Sequence, residues 1–228
     1  YIDLKIQELQ LALEYETKKQ EEKEALRELK AQRREEEQAR KEMELAMQSA
    51  EKERQHYSNA LSKLTEQLQS CSDEQRKELI EKKSEIEKHL EKVIANIKDL
   101  DYRQANIKAG YVYVISNIGA FGENVYKIGM TRRLDPQERV DELGDASVPF
   151  KFEVHAMIFS ENAPALEAAL HREFESKKVN MINGRKEFFR VSLDEIKRVV
   201  FENHDKAVEF IDVPSAEQYR ETLKIARQ

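Results

Sequence analysis

Six side chains in the second half of this 228-residue chain have types that could do chemistry: Tyr113, Lys127, Arg139, His155, Glu167 and His171. Glu167 and His171 stand four residues apart, which puts a carboxylate and an imidazole on one face of a helix. A carboxylate is a hard oxygen donor of the kind Mg²⁺ takes. An arginine presents a planar fork that matches phosphate oxygens, and a lysine can contact phosphate or relay a proton. Tyr113 alternates with Tyr111 in a β-branched and aromatic run, so both look to one side of a strand. His155, between Val154 and Ala156, suits a buried core histidine as well as a reactive one. Each has an ordinary reading beside the chemical one: Glu167 as a solvated helix carboxylate, Arg139 as a surface base paired with Asp135 or Glu142, Tyr113 as half-buried packing.

The elements that must position these residues begin at Gly110, where the hydrophobic period changes from 3.6 to 2. Tyr111–Ile115 and Val125–Gly129 read as strands joined by a turn over Asn117–Asn124, hence a hairpin. Asp135-Pro136 opens a helix that carries Arg139 and ends at Gly144. Phe152–Phe159 is a third strand. Asn162-Ala163-Pro164 opens a helix to about Ser176 bearing Glu167 and His171. Glu187–Val191 reads as a short strand, and Leu193–Asn203 and Ser215–Arg227 as helices.

Residues 1–109 are different in kind. All six Gly, all four Pro and all nine Phe lie at or after Gly110. The first half is built from strong helix formers and holds no breaker, so it reads as helix, about 160 Å long if continuous. Ile2, Ile6, Leu9 and Leu13 follow 4-3-4 spacing. Met43, Met47 and Ala50, then Tyr57, Leu61, Leu64, Leu68 and Cys71, and finally Ile86, Leu90, Val93, Ile97 and Leu100 continue a seam, with a slip through Gln75 and Leu79. The seam is weak over 16–42, where Arg33, Glu36 and Arg40 stand at would-be core positions. Two arrangements fit: an intermolecular coiled coil, or a break near Ser70–Asp73, capped by Ser72 or Asp73, that folds 43–70 and 74–106 back as a hairpin. His56 and His89 lie among charges and read as solvated.

Composition closes off other classes. No apolar run approaches a membrane span, one cysteine excludes a disulfide framework, and no Cys/His cluster has zinc spacing. A chain that opens on Tyr1 reads as a segment of something longer, so membrane association is expected only through sequence upstream, and a cytoplasmic setting for this segment. Mean hydropathy is −0.79 and the formal charge −6. Neither half is basic, so any nucleic-acid role needs a local site. Lys127, Arg132, Arg133 and Arg139 form one group of bases; Lys177, Lys178, Arg185, Lys186 and Arg190 form another.

The order ββαβα, with Gly110-Tyr111-Val112-Tyr113 in the first strand and Lys127-Ile128-Gly129 in the second, resembles the GIY-YIG nuclease superfamily. Tyr126-Lys127-Ile128-Gly129-Met130-Thr131, Arg139, Leu166-Glu167 through Leu170-His171, and Glu187-Phe188-Phe189 resemble its phage-type branch, which is often appended to a coiled coil. The resemblance covers roughly 110–191. Beside the residue reading of a long α-helical coiled coil (1–109) and a C-terminal helical extension packed on the domain (192–228), it implies a small α+β nuclease domain with a mainly antiparallel three-stranded sheet flanked by helices (110–191). It implies hydrolysis of double-stranded DNA, phage DNA included, as in anti-phage defence, by a homo-oligomer using Mg²⁺ or Mn²⁺. Glu167 would then hold the metal, Arg139 clamp the scissile phosphate and Tyr113 help activate water. Lys127 departs from the pattern, standing where many relatives carry a second tyrosine. It would take a proton or contact phosphate, while Tyr126 faces the other side of the strand. Leu143 replaces a His or Tyr of several relatives, which raises His155 and His171 as substitutes. One of Asn180 and Asn183 would stand for a supporting asparagine. Lys127, Arg132, Arg133, Arg139 and Lys186 would face DNA. The competing reading is a non-catalytic coiled-coil scaffold whose nuclease-like domain binds DNA or a partner.

Overall fold

The computed structural model describes residues 2–70, 73–145, 148–183, 186–204, 206–212 and 216–226. They fall into two compact units, one up to Lys41 and one from Glu42 onward. Helix α1 (Ile2–Ser70) contributes to both, and α2 (Asp73–Ala105) follows. In the first unit the apolar seam lies open to solvent: Ile2, Ile6, Leu9 and Leu13 are each at least 48% exposed. Arg33, Glu36 and Arg40 are exposed as well, as their charge requires.

In the second unit the same register is covered. Ala50 on α1 and Val93 and Leu100 on α2 are buried, and Met43, Met47, Tyr57, Leu61, Ile86, Leu90 and Ile97 are half-buried. The Tyr57 ring stacks on His89, centroids 5.7 Å apart with 20° between planes. A contact between residues so far on either side of a two-residue connection requires the helices to run antiparallel. Of the two arrangements, the chain thus contains the folded-back hairpin. His89 has an aromatic partner rather than water alone. The cap at Ser72 lies outside the described residues.

From Gly110 the chain forms β1 (Gly110–Ser116), α3 (Ile118–Phe121), β2 (Val125–Thr131), α4 (Pro136–Asp145), β3 (Glu153–Ser160), α5 (Ala163–Glu173), β4 (Phe188–Arg190), α6 (Leu193–Asn203) and α7 (Glu217–Ile225). The sheet has four strands in the order β3-β1-β2-β4, and every pairing is antiparallel. This corrects the three-stranded expectation. The short fourth strand adds to the free edge of β2, setting Tyr126 opposite Phe189 and Lys127 opposite Phe188. The expected turn after β1 contains a single helical turn, because the Asn117 side chain accepts from the Ala120 N–H and caps it. Asn162 caps α5 in the same way, with Pro164 in its first turn, and Ser192 caps α6.

Strand alternation divides the domain into two layers. Val112, Val114, Tyr126, Ile128, Ala156, Ile158 and Phe189 form one core with Leu166, Leu170 and Phe174 after β3 and with Ile196, Val199 and Val200 of α6. On the other face a smaller core gathers Tyr113, Ile115, Val140 and Phe152, with Leu143, Met157 and Phe188 partly buried against it. The stretch after α6 also reaches the sheet: Ile211 N–H donates to the His155 carbonyl at 2.8 Å.

Candidate functional site

Tyr113 is positioned by its strand partner. It pairs with Gly129, and its ring lies where a side chain at 129 would stand: an added Cβ would come within 2.5 Å of the Tyr113 hydroxyl. The glycine is thus a requirement of close approach. Tyr111 serves as wall. Its ring meets Phe159 edge-on, centroids 5.3 Å apart, and Arg103 of α2 lies over it.

Lys127 shares the Tyr113 face, with Nζ 5.9 Å from the centre of that ring. Its side chain is only 12% exposed, and Nζ donates to Glu187 Oε2 at 2.5 Å. A buried ammonium needs such a partner. Tyr126, one residue earlier, belongs to the opposite core, as period 2 requires.

Glu187 immediately precedes β4, and its carbonyl accepts from Ile128 N–H at 3.2 Å. The matching Ile128 carbonyl accepts from His171 Nε2 at 2.9 Å. Because a carbonyl can only accept, this bond puts a proton on His171 Nε2, so the neutral ring would present its lone pair on Nδ1. The His171 ring also packs on Phe189, centroids 5.1 Å apart. Glu167, one turn earlier on α5, completes a cluster. One ligand atom from each of Glu167, His171 and Glu187 lies within 4.8 Å of the other two. Two carboxylates and an imidazole whose outer N–H is held by a backbone carbonyl suit a divalent cation of the Mg²⁺ or Mn²⁺ class.

Beside this cluster runs a groove of about 650 Å³ lined by Lys127, Lys186, Glu187 and the aromatic residues Phe121, Phe152 and Phe188. Phe121 and Phe188 lie 4.8 Å apart, centroid to centroid. Leu143 lines the groove too, as an apolar wall. α4 packs on this face through Val140 and carries Arg139, whose Nη1 lies 3.4 Å from a Glu142 carboxylate oxygen.

Two sequence candidates stand elsewhere. His155 is 3% exposed. A β-bulge between Val114 and Ile115 shifts the register of β3, and His155 meets Tyr126 edge-on, at 5.0 Å, rather than Tyr113. Its Nδ1 donates to the Ile211 carbonyl at 2.8 Å and its Nε2 accepts from Ser116 at 2.8 Å. Burial pushes its pKa down, against the Ile211 carbonyl and Asp212, which favour the charged ring. Both nitrogens are engaged, and the side chain is a satisfied core histidine. Arg133, expected to face DNA, is 5% exposed. It pairs with Glu42 of α1 and Glu142 of α4, and it ties the hairpin to the domain. Burial disfavours its charge, and the two carboxylates outweigh that and raise its pKa. Of the other expected DNA contacts, Arg132 donates from Nε to the Ile107 carbonyl and Lys186 is exposed. Arg185 lies outside the described residues. Asn180 accepts from the N–H groups of Ile182 and Asn183 and shapes its own loop.

Glu187 is the residue that sequence reasoning passed over. It was visible only as the first letter of the Glu187-Phe188-Phe189 run, and its position follows from the pairing of β4 with β2.

No curated protein and no solved structure matches the chain. Residues 110–204 match the model of the T5orf172 domain, a GIY-YIG-like phage open-reading-frame family.

Proposed function

We infer that residues 110–204 act as a metal-dependent endonuclease on double-stranded DNA, in conflict between a bacterium and its phages, with the helical region regulating or oligomerising it. The observation that carries this reading is the meeting of Glu167, His171 and Glu187 at one sheet edge, with Lys127 joined to them and Tyr113 beside it. Residues from β1, β2, α5 and the approach to β4 converge there, which simple packing does not require.

In this reading Glu167 would hold the cation, which would supply positive charge against the oxygens of the reacting phosphate. Water would attack phosphorus as the bond to the leaving oxygen breaks, with Tyr113 assisting the water and Lys127 beside the phosphate. Because Lys127 already donates to a carboxylate, its contact to phosphate is favoured over a role as proton acceptor. Arg139 offers its fork to the charge that grows on the phosphate. The chain carries a formal charge of −6, so phosphate contacts would be confined to a local group of bases, affinity should be modest, and the salt dependence should be as shallow as that small number of contacts dictates.

The test is plasmid cleavage at low salt with Mg²⁺ or Mn²⁺. Wild type should nick or linearise the plasmid, and Glu167→Ala and Arg139→Ala should each lose about a hundredfold or more. A wild type that binds the plasmid and leaves it intact would establish the scaffold reading instead.

A further inference from the structure

We propose that Glu187 and His171 join Glu167 as ligands of the divalent cation, and that Glu187 does so by exchanging the Lys127 ammonium for the metal. The proposal rests on the reading of residues 110–204 as a cation-dependent domain. It adds which side chains make the site and what their ligation does to Lys127.

Three observations carry it. The ligand atoms of Glu167, His171 and Glu187 are mutually within 4.8 Å, a span one ion can bridge with small side-chain adjustments. Their backbone anchors are separate: α5 carries Glu167 and His171, and the chain entering β4 carries Glu187, stitched to β2 by the Ile128 N–H. The third observation is that a cation already stands at the cluster. Two carboxylates this close repel each other, and the Lys127 ammonium, 12% exposed and 2.5 Å from Glu187, offsets that charge. A divalent ion would offset it better and would leave the ammonium without its partner. The Lys127 chain would then be free to turn toward the groove it lines, where a phosphate would sit. His171 contributes through Nδ1, since Nε2–H is held by the Ile128 carbonyl. An imidazole beside two carboxylates favours Mn²⁺ over Mg²⁺ more than carboxylates alone would.

The experiment is Mn²⁺ binding to the full chain without DNA, followed by calorimetry and by the electron paramagnetic resonance of the bound ion, with circular dichroism to confirm folding of each variant. Glu187→Gln and His171→Ala should each weaken Mn²⁺ binding about tenfold or more. Pulsed resonance should show ¹⁴N coupling in wild type and in Glu187→Gln, and none in His171→Ala. Lys127→Met should tighten binding several-fold in the wild-type background and leave it unchanged in the Glu187→Gln background, because the gain runs through the released carboxylate.

Equal tightening by Lys127→Met in both backgrounds would reduce Lys127 to a distant repelling charge and overturn the exchange. If Glu187→Gln and His171→Ala bind as wild type while Glu167→Ala does not, the metal is held by Glu167 alone: this proposal falls and the endonuclease reading stands. A wild type that binds no Mn²⁺ removes both.

Discussion

The two faces of the same four-stranded sheet have been put to opposite uses. Under α5 and α6 the strands supply Val112, Val114, Tyr126, Ile128, Ala156, Ile158 and Phe189 to a continuous dry core. One residue along each strand, the other face supplies Tyr113, Ile115, Lys127, Gly129 and Phe188, where the core gathers four buried members among the described residues. That face opens into the groove. The difference teaches where a lysine can stand in a central strand. On the packed face an ammonium would be stranded among aliphatic side chains. On the open face it reaches Glu187 at the sheet edge and can be shared with a ligand. Stability is concentrated on one side of the backbone, which leaves the other side free to hold polar groups at some cost in packing.

Adjacent phenylalanines of β4 test this division most directly. Phe189 is fully buried in the larger core, while Phe188 is only half-buried, beside the groove. Phe189→Ala should cost about 3 to 5 kcal/mol, and Phe188→Ala about 1 to 2 kcal/mol because less apolar surface leaves contact. Urea denaturation of the two variants measures both. Equal losses would mean that the groove face carries as much of the fold as the helix-covered face, and the division would be abandoned.

Gly129→Ala gives a smaller stability effect but acts on the open face itself. The added methyl would meet the Tyr113 hydroxyl and ring at 2.5 and 2.7 Å, so the ring must move. Crowding of this kind costs about 1 to 3 kcal/mol. A reacting group displaced by about an ångström costs roughly a hundredfold in rate. The expected outcome is a folded protein with a modestly lowered melting temperature and nearly lost plasmid cleavage. Undiminished cleavage would remove Tyr113 from the chemistry and return it to packing.

Much of this arrangement was legible in the sequence, for physical reasons that also mark where legibility stops. The strands β1 to β3 and helices α5 and α6 announce themselves because each buries one face, and burial writes a period. Alternation alone placed Tyr126 and Lys127 on opposite sides. β4 read as a strand, but three residues carry too little period to say which edge it joins, and the sheet came out one strand short. His155 defeats the period because a bulge turns it away from the face that alternation assigns. Arg133 reads as one base in a basic cluster, since its partner Glu42 is 91 residues away. Glu187 becomes visible only once β4 is laid against β2. The helical seam from Met43 to Leu100 was plain, whereas its pairing within one chain follows from Tyr57 meeting His89.

The smallest expected effect concerns His155, the histidine that the bulge commits to packing. Its ordinary pKa is 6.5, and burial lowers it in the folded protein. The unfolded chain therefore takes up a proton at a higher pH than the folded one. The stability that His155 contributes is fully present above about pH 6.5 and is lost as pH falls below that value toward the folded pKa. Asp212 lies on the loop that covers it and favours the charged ring, as does the Ile211 carbonyl, so the loss is moderated. The Tyr126 phenol beside it has its own pKa raised by burial, with Asp194 and Asp212 adding to the shift, so it stays neutral throughout this range. Melting temperatures measured from pH 7.5 to 5.5 should fall for wild type. They should fall less for His155→Gln, which starts lower because it packs less well against Tyr126. Plasmid binding by that variant at pH 7.5 should match wild type, because His155 touches Tyr126, Ser116 and Ile211 rather than the groove. A steeper fall in the variant than in wild type would show that His155 is charged in the folded state, and the packed face would no longer be dry at that point.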